Sequence, residues 1–169
     1  MHVLFVCTGN ICRSPIAERL STFYALERNM SSFRASSAGT RALVGHPIHP
    51  EAAHALKRRG ADPSDFEARR LTTRGVASAD LILGMTKAHR DAVLELAPQA
   101  LRKCFTLAEA STLAVRFEAG DVTTLSAVRS QITLTEFLDI TDPIDQRAEI
   151  FEIVAGQIAE LLPPILGLG

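Results

Sequence analysis

The chain has 169 residues, 47% of them hydrophobic, and a formal net charge of −1 from 18 Lys and Arg against 19 Asp and Glu. A chain of this length and composition can bury a core without disulfide or metal crosslinks, so we expect a single domain over residues 1–169. The near-zero net charge gives no general attraction to a polyanion, so neither nucleic-acid binding nor binding to an anionic membrane is expected.

Cysteine usage indicates the compartment. The chain has three cysteines, and an odd number without an export signal indicates a reducing environment rather than a disulfide framework. The apolar run at residues 3–6 is too short for the core of a signal peptide, and no segment has the length of a membrane span. We therefore expect a cytoplasmic protein, and we predict a monomer or a weak homodimer in solution.

Short apolar segments alternate with longer amphipathic ones, which is typical of parallel strands joined by crossover helices. The pattern predicts an α/β fold of three layers, an open sheet of about four parallel strands with helices on both faces. In chain order the predicted elements are a strand at 2–6, a helix from Ser14, an edge strand at 33–38, a helix at 50–59, a strand at 80–85, a helix at 87–96, a strand at 101–105, and helices at 107–117 and 144–162.

Proline and glycine set several of these limits. Pro15 suits the first turn of a helix, whereas Gly60 and Pro98 are expected to end the helices that precede them. The pair Pro163 and Pro164 is expected to end the last helix. Residues 118–138 have no strong helix or strand signal, so we expect a mobile segment there with no more than one helical turn.

The first predicted strand leads into the segment Val6-Cys7-Thr8-Gly9-Asn10-Ile11-Cys12-Arg13-Ser14-Pro15. A cysteine leaves a buried strand, a short loop follows, and an arginine and a serine begin a helix. Loop N–H groups and the positive end of a helix dipole can bind an anion in such an arrangement. Gly9 is expected to allow backbone conformations that other residues resist. Because ligands of open α/β sheets bind beyond the carboxyl ends of the strands, this loop is the predicted phosphate-binding loop.

Each residue type in this segment has a chemical reason. A nearby guanidinium and a helix N-terminus favour a thiolate, so Cys7 is predicted to be the nucleophile. Arg13 can hold two phosphate oxygens with its planar fork, and the Ser14 hydroxyl can donate to the thiolate. The predicted phosphate-binding residues are Thr8, Gly9, Asn10, Ile11, Cys12 and Ser14, with the Asn10 amide also fixing the loop. A strand-turn-helix unit with a buried cysteine and a serine cap would need no ligand.

The motif Val-Cys-x5-Arg-Ser-Pro resembles the signature of the low-molecular-weight protein tyrosine phosphatases. The resemblance extends through residues 16–18 (Ile-Ala-Glu), 37–40 (Ser-Ala-Gly-Thr), 68–71 (Ala-Arg-Arg-Leu) and 80–85 (Asp-Leu-Ile-Leu-Gly-Met). It implies a hydrolase for phosphate monoesters, above all protein phosphotyrosine, that works through a cysteinyl-phosphate on Cys7 with no metal and no cofactor. The implied partner is a phosphorylated protein or a small phosphate ester.

Release of the alcohol needs a proton donor, commonly a carboxyl group that later activates water. The family carries this acid in an Asp-Pro loop before the last helix, and this sequence has Asp142-Pro143 there. The resemblance therefore implies that Asp142 is the general acid. An Asp-Pro pair is also a common helix start in which the aspartate is the cap. Asp139 and Asp145 do not precede proline, and we interpret them as solvated or capping residues.

The chain departs from the family pattern above the loop, where better-known members surround the phenol ring with aromatic residues. This chain has no tryptophan and one tyrosine, Tyr24, which falls in the first predicted helix. The predicted pocket walls are Leu43 and Ile144, which should bind an aryl phosphate more weakly and less selectively than aromatic rings do. Ile11 favours phosphotyrosine, because relatives directed at phosphoarginine tend to have threonine there.

The other sulfur and imidazole groups have less specific interpretations. The resemblance implies that Cys12 can form a disulfide with Cys7 on oxidation and so protect it, although a packed thiol is an equal alternative. Cys104, inside an apolar strand, is predicted to be an inert core residue. His46 and His49 lie in a proline-bearing loop and are interpreted as surface residues, so no metal site is expected.

Three alternatives stay open at this point. The first is a protein arginine phosphatase. The second is a thiol-dependent arsenate reductase, which needs further cysteines to relay a disulfide, whereas only Cys104 lies outside the loop. The third is a phosphoprotein-binding module without turnover, which loss of Cys7, Arg13 or Asp142 would indicate, although all three are present.

Overall fold

The N-terminal apolar run forms an inner strand of a four-stranded sheet. β1 (His2–Cys7) lies between β2 (Arg34–Gly39) and β3 (Leu81–Gly84), and β4 (Cys104–Thr106) pairs with the other side of β3. All three pairings are parallel, and Cys7 lies beside Gly39 at the end of β1. The structure, a computed structural model, describes residues 1–132 and 138–168.

Helices connect the strands and cover both faces of the sheet. The described residues include α1 (Arg13–Glu27), α2 (Pro50–Arg58), α3 (Thr73–Ser78), α4 (Lys87–Leu96), α5 (Leu107–Arg116), α6 (Val122–Val128) and α7 (Ala148–Leu166), with 3-10 helices at Pro98–Lys103 and Arg129–Gln131. Side-chain oxygens of Thr72, Thr86, Thr106 and Asp121 accept backbone N–H groups at the starts of α3, α4, α5 and α6. These caps fix where each helix begins.

Alternate residues of β1 enter two separate cores. Val3 and Phe5 pack with α1, α2, α5 and α7 on one face of the sheet, whereas Leu4 and Val6 pack with α3 and α4 on the other. Because side chains of a strand alternate between faces, a strand that is apolar throughout must be covered on both. The predicted three-layer α/β fold with its parallel sheet is thus confirmed, with 33–38 at an edge as expected.

Three predicted limits are wrong. The predicted strand at 101–105 begins only at Cys104, because Pro98–Lys103 forms a 3-10 helix. The last helix begins at Ala148 rather than 144, because Asp145 has a positive φ of 61° that an α-helix does not accept. α7 then continues through Pro163 and Pro164 to Leu166, since burial of Ile165 and Leu166 holds its last turn on the core. Each of the two prolines removes one backbone hydrogen bond from the last turns of the helix.

The segment that lacked a signal is more ordered than predicted in its first part. Asp121 caps α6, whose seven residues exceed one helical turn, and the 3-10 helix Arg129–Gln131 follows it. The rest of that prediction falls on residues 133–137, which lie outside the described residues. α3 has no counterpart among the predicted elements because its six residues are too few for a helical repeat of apolar positions. Among the described helices, none is long and apolar enough to cross a bilayer.

Candidate active site

The loop after β1 is held from outside by a second loop. We call residues 8–12 the anion loop and residues 40–49, which follow β2, the bracing loop. The bracing-loop N–H groups of Thr40, Arg41, Leu43 and His49 donate to the carbonyl oxygens of Cys7, Thr8, Gly9 and Ile11, in that order, at 2.8 to 3.0 Å. The carbonyl groups of Cys7, Thr8, Gly9 and Ile11 therefore face the bracing loop.

Peptide geometry then decides where the N–H groups point. In a planar trans peptide the carbonyl group and the next N–H point in opposite directions. The N–H groups of Thr8, Gly9, Asn10 and Cys12 are accordingly turned away from the bracing loop. Among residues 1–132 and 138–168, no hydrogen bond uses the backbone N–H groups of residues 8–12. Together with the free N–H groups at the start of α1, they form a set of donors suited to phosphate oxygens.

Asn10, rather than Gly9, has the unusual backbone conformation of the anion loop. Its φ is +56°, whereas Gly9 does not have a positive φ. A Cβ added to Gly9 would meet Ile11 Cγ1 at 3.5 Å, an ordinary contact. The expectation that Gly9 provides this freedom is therefore wrong, and asparagine serves because its short amide side chain tolerates the left-handed region.

The Asn10 side chain is fully buried and uses both ends of its amide. Nδ2 donates to Ser14 Oγ at 3.0 Å and to Ser37 Oγ at 2.8 Å, and Oδ1 accepts from the backbone N–H of Arg69 at 2.8 Å. Ser37 in turn donates to a carboxylate oxygen of Glu18, which is also buried. This network joins the anion loop to α1, β2 and the segment beside β2.

Cys7 and Ser14 lie opposite each other across the anion loop. Cys7 Sγ is 2.9 Å from Ser14 Oγ, and both residues are buried. Ser14 Oγ already accepts a hydrogen bond from Asn10, so its own hydrogen is available to the sulfur. A thiolate at Cys7 can only accept, which makes the serine the donor in that state. The geometry stabilises negative charge on the sulfur.

Arg13 connects the anion loop to the segment that precedes α7. Arg13 is 4% exposed. Its Nη1 donates to the carbonyl oxygen of Ile140 at 3.1 Å, and its Nη2 forms an ion pair with Asp142 Oδ2. Asp142 Oδ1 accepts the backbone N–H of Ile144 at 3.3 Å. Asp142 does not cap α7, whose N-cap residue is Arg147. The alternative interpretation of Asp142 as a helix cap is therefore wrong.

These residues surround a cleft of about 260 Å³, whose lining includes Cys7, Thr8, Gly9, Ile11, Cys12, Arg13, Arg41, Leu43, Asp142 and Ile144. Leu43, in the bracing loop, and Ile144, in the segment before α7, both line this cleft. Arg41 was missed, since an exposed arginine in a loop has no distinguishing signal in the sequence. The whole bracing loop was missed as a support for the same reason, because its contribution is made by backbone N–H groups.

The other cysteines and the aspartates on either side of Asp142 differ in burial and in hydrogen bonding. Burial, and then the neighbouring Cys7, raise the pKa of the Cys12 thiol. Cys104 is fully buried, and that burial raises its pKa to about 12, which agrees with an inert core residue. Asp139 Oδ1 accepts the N–H of Lys87 at 2.8 Å at the start of α4, so its interpretation as a capping residue holds. Asp145 is exposed.

The two loop histidines do not form a pair of ligands. His46 is exposed, whereas His49 caps α2 and stacks on Phe151 at 4.8 Å between ring centroids. Among the described residues, no group of three or more His, Cys, Asp or Glu side chains has the arrangement of a metal site.

Comparison with known proteins defines the class of protein to which this fold and site belong. The sequence model of the low molecular weight phosphotyrosine protein phosphatase family matches residues 2–123, and the chain belongs to that family. Low molecular weight protein-tyrosine-phosphatase Etp of Escherichia coli K12 is 39% identical over 97 residues, which are 57% of this chain and 62% of Etp. The matched part thus spans less than two thirds of that relative's length.

Solved structures resemble the chain over nearly its whole length. A low molecular weight protein tyrosine phosphatase from T. tengcongensis is 30% identical with a TM-score of 0.77, over 98% of this chain and 97% of that one. A YwlE arginine phosphatase, solved as a C7S mutant with a phosphorylated active-site serine, is 28% identical with a TM-score of 0.79, over 98% of this chain and 93% of that one. The region that contains Asp142 is therefore covered by structural similarity, although the family model ends before it.

Proposed function

We propose that this protein is a cysteine-dependent phosphatase that hydrolyses phosphate monoesters, most readily protein phosphotyrosine, through a cysteinyl-phosphate intermediate. The observation that carries the proposal is the meeting of four groups at one cleft. Cys7 Sγ lies 2.9 Å from the Ser14 hydroxyl, Arg13 contacts Asp142, and the N–H groups of the anion loop surround them. A nucleophile, its charge stabiliser and a proton donor are the parts that this reaction requires.

In the first step the Cys7 thiolate attacks phosphorus, and an S–P bond forms as the P–O bond to the leaving group breaks. The electron pair of that bond goes to the leaving oxygen, which takes a proton from Asp142. The anion-loop N–H groups and the Arg13 guanidinium stabilise the equatorial oxygens as their charge develops. The phosphoryl group displaces the Asp142 carboxylate from Arg13 Nη2, and the freed carboxylate takes up a proton from solvent before it donates that proton to the leaving oxygen.

In the second step water attacks phosphorus, and the S–P bond breaks. Asp142, now a carboxylate, takes a proton from the water, and the sulfur leaves with the electron pair as a thiolate. The Ser14 hydroxyl donates to that thiolate, which makes the sulfur a better leaving group. Inorganic phosphate is released, and the proton on Asp142 restores the acid for another turnover.

The direct test is hydrolysis of para-nitrophenyl phosphate in the presence of EDTA. We expect wild-type turnover, loss of nearly all activity in Cys7→Ser, and a kcat lower by about 10²- to 10⁴-fold in Asp142→Ala, since general acid catalysis contributes about that much. Cys104→Ser is the matched control, because Cys104 lies in β4, away from the cleft. An inactive wild type, or full activity in Cys7→Ser, would contradict the mechanism.

Phosphoarginine is the second candidate substrate, and the residues that line the cleft in the described part of the chain favour it. Among residues 1–132 and 138–168, those that line the cleft include no aromatic ring, and one structural neighbour is an arginine phosphatase. Ile11 lies in that lining and is the residue expected to favour phosphotyrosine. Phosphotyrosyl, phosphoarginyl and phosphoseryl peptides of one sequence should be compared on wild type and Ile11→Thr. If Ile11→Thr leaves the ratio of the first two unchanged, Ile11 does not set the preference.

The two other chemical alternatives have less support. An arsenate reductase needs accessible cysteines to relay a disulfide, but Cys12 and Cys104 are both buried. A module without turnover has no need for a proton donor, yet Asp142 is held beside Arg13. Reduction of arsenate by the protein with a thiol present would revive the first alternative.

The cellular location and the oligomeric state are further proposals. A cytoplasmic location agrees with three free cysteines, and fractionation of cells would test it. Light scattering after size-exclusion chromatography would test the predicted monomer or weak homodimer, and would show whether either form is the active one.

A further inference from the structure

A buried imidazole connects the anion loop to the turn after β3. His89, in the first turn of α4, is 6% exposed. Its Nε2 lies 2.9 Å from Thr8 Oγ1 in the anion loop, and its Nδ1 lies 2.9 Å from Thr86 Oγ1. No step of the proposed mechanism uses His89, although Thr8 lines the cleft.

The start of α4 is brought close to the end of β3 by a glycine. A Cβ on Gly84 would lie 2.8 Å from the backbone N of Arg90 and 3.2 Å from His89 Cβ. Only a residue without a side chain allows this approach. The position of the imidazole beside Thr8 therefore depends on the backbone of β3 and α4 and does not result from a flexible surface side chain.

The hydrogen-bond partners of the ring favour one of its two tautomers. Burial lowers the pKa of His89 to about 4, so near neutral pH the ring carries one N–H. Thr86 Oγ1 already accepts the backbone N–H of His89 at 3.2 Å. In the favoured tautomer the Thr86 hydroxyl donates to Nδ1. Nδ1 is then an acceptor without a hydrogen, so the ring hydrogen is on Nε2. Nε2 then donates to Thr8 Oγ1, which leaves the Thr8 hydrogen for an acceptor in the cleft.

The same turn also holds the segment that carries the general acid. Met85 accepts the N–H of Ile140 at 2.9 Å, and the N–H of Lys87 donates to Asp139 at 2.8 Å. Residues 85–89 thus contact the anion loop on one side and the acid-bearing segment on the other. A displacement of His89 would therefore change the position of the anion loop relative to the segment that carries Asp142.

We infer that His89 is a positioning residue, which holds the Thr8 hydroxyl by donating from Nε2 and so directs the Thr8 hydrogen towards the cleft. The expected effects on kcat rest on the proposed function, whereas the tautomer of His89 does not depend on it. The ordinary alternative is a core histidine whose two hydrogen bonds only stabilise the fold. That alternative predicts a loss of stability without a loss of kcat in the folded protein.

A double-mutant cycle separates the two. Thr8→Val removes the hydroxyl at nearly constant volume, and His89→Leu removes the donor. We expect each substitution to lower kcat about 10-fold and to change KM less. A 10-fold loss of kcat is about what the loss of one charge-assisted hydrogen bond causes. If His89 acts through Thr8, the double variant should be no worse than either single variant. His89→Gln, which keeps an N–H donor, should restore much of the activity, and His54→Leu on the exposed face of α2 is the control.

Independent effects that multiply, or a wild-type kcat in His89→Leu, would overturn the inference. Should His89→Leu fail to fold, nitrogen-15 NMR of the wild-type imidazole decides the matter, because it distinguishes a hydrogen on Nε2 from one on Nδ1. A hydrogen on Nδ1 would refute the assignment. An inactive wild type would count against the proposed function, whereas the tautomer measurement would still test the hydrogen-bonding arrangement.

Discussion

Replacement of Asn10 by alanine should be among the most damaging single changes outside the nucleophile. The side chain is fully buried, and its loss leaves the Arg69 N–H without its acceptor, at a cost of about 1–3 kcal/mol. Loss of the bonds to Ser14 and Ser37 adds about 1 kcal/mol each, because both hydroxyls keep another partner. Alanine at a positive φ adds about 1 kcal/mol more. We expect the free energy of unfolding to fall by about 4–6 kcal/mol.

The chain provides a matched control for the backbone term. Asn29 has a φ of +55° but is exposed, and no hydrogen bond of its side chain occurs among the described residues. Asn29→Ala should therefore cost only the positive-φ term of about 1 kcal/mol. The difference between the two variants, about 3–5 kcal/mol, isolates the amide network.

Urea titration followed by circular dichroism measures both losses, provided that the slope with denaturant is the same as in wild type. In a chain of this size 1 kcal/mol corresponds to about 2–4 °C in Tm, so Asn10→Ala should melt about 8–24 °C lower and Asn29→Ala about 2–4 °C lower. Equal losses in the two variants would refute the reasoning, because they would show that the buried amide contributes nothing beyond its backbone conformation.

Three further changes test separate features. Burial raises the pKa of Glu18 above its ordinary 4.5. The contribution of the Glu18 carboxyl group to the free energy of unfolding is therefore full below pH 4.5 and declines as the pH rises through the raised pKa. Glu18→Gln should remove this decline, as measured by Tm from pH 4.5 to neutral pH. Leu43→Phe adds a ring to the cleft and should raise kcat/KM for phosphotyrosyl over phosphoseryl peptide by about 3- to 10-fold, from about 0.5–1.5 kcal/mol of aromatic contact. Gly39→Ala places a Cβ 2.5 Å from the Thr8 carbonyl oxygen and should lower both Tm and kcat by separating the two loops, whereas Gly120→Ala, with no atom within 4 Å, should be neutral.

Each of these has a clear contrary result. The same pH dependence of Tm in Glu18→Gln and wild type would show that the carboxyl group is not desolvated. An unchanged preference in Leu43→Phe would place the substrate ring elsewhere. A fully active Gly39→Ala would mean that the bracing loop does not hold the anion loop.

The parts of the fold that follow from local patterns were predictable. A strand that is apolar on both faces indicates a buried strand of a parallel sheet, so β1 and the layers around it follow from the sequence. The last helix was harder, because prolines are ordinary end signals and the sequence does not show that Ile165 and Leu166 are anchored in the core. Its start was also missed, because the positive φ of Asp145 results from the turn in which it lies.

The site divides in a similar way. Cys7, Arg13 and Ser14 are close in sequence, so the chemistry of one loop could be inferred from one short segment. Asp142 lies 129 residues from Arg13, and only the resemblance to a family connected the two. His89 could not be identified, since a histidine in the first turn of a helix is common, and its role depends on a contact 81 residues away along the chain.

The bracing loop separates two evolutionary requirements within one short segment. Its backbone N–H groups support the anion loop, and every amino acid except proline has such an N–H group. Its side chains at Arg41 and Leu43 face the cleft. Substitutions at these two positions can therefore alter which phosphorylated molecule is recognised while the donors to the phosphate stay in place. Diversification of targets within such a family needs no redesign of the catalytic machinery.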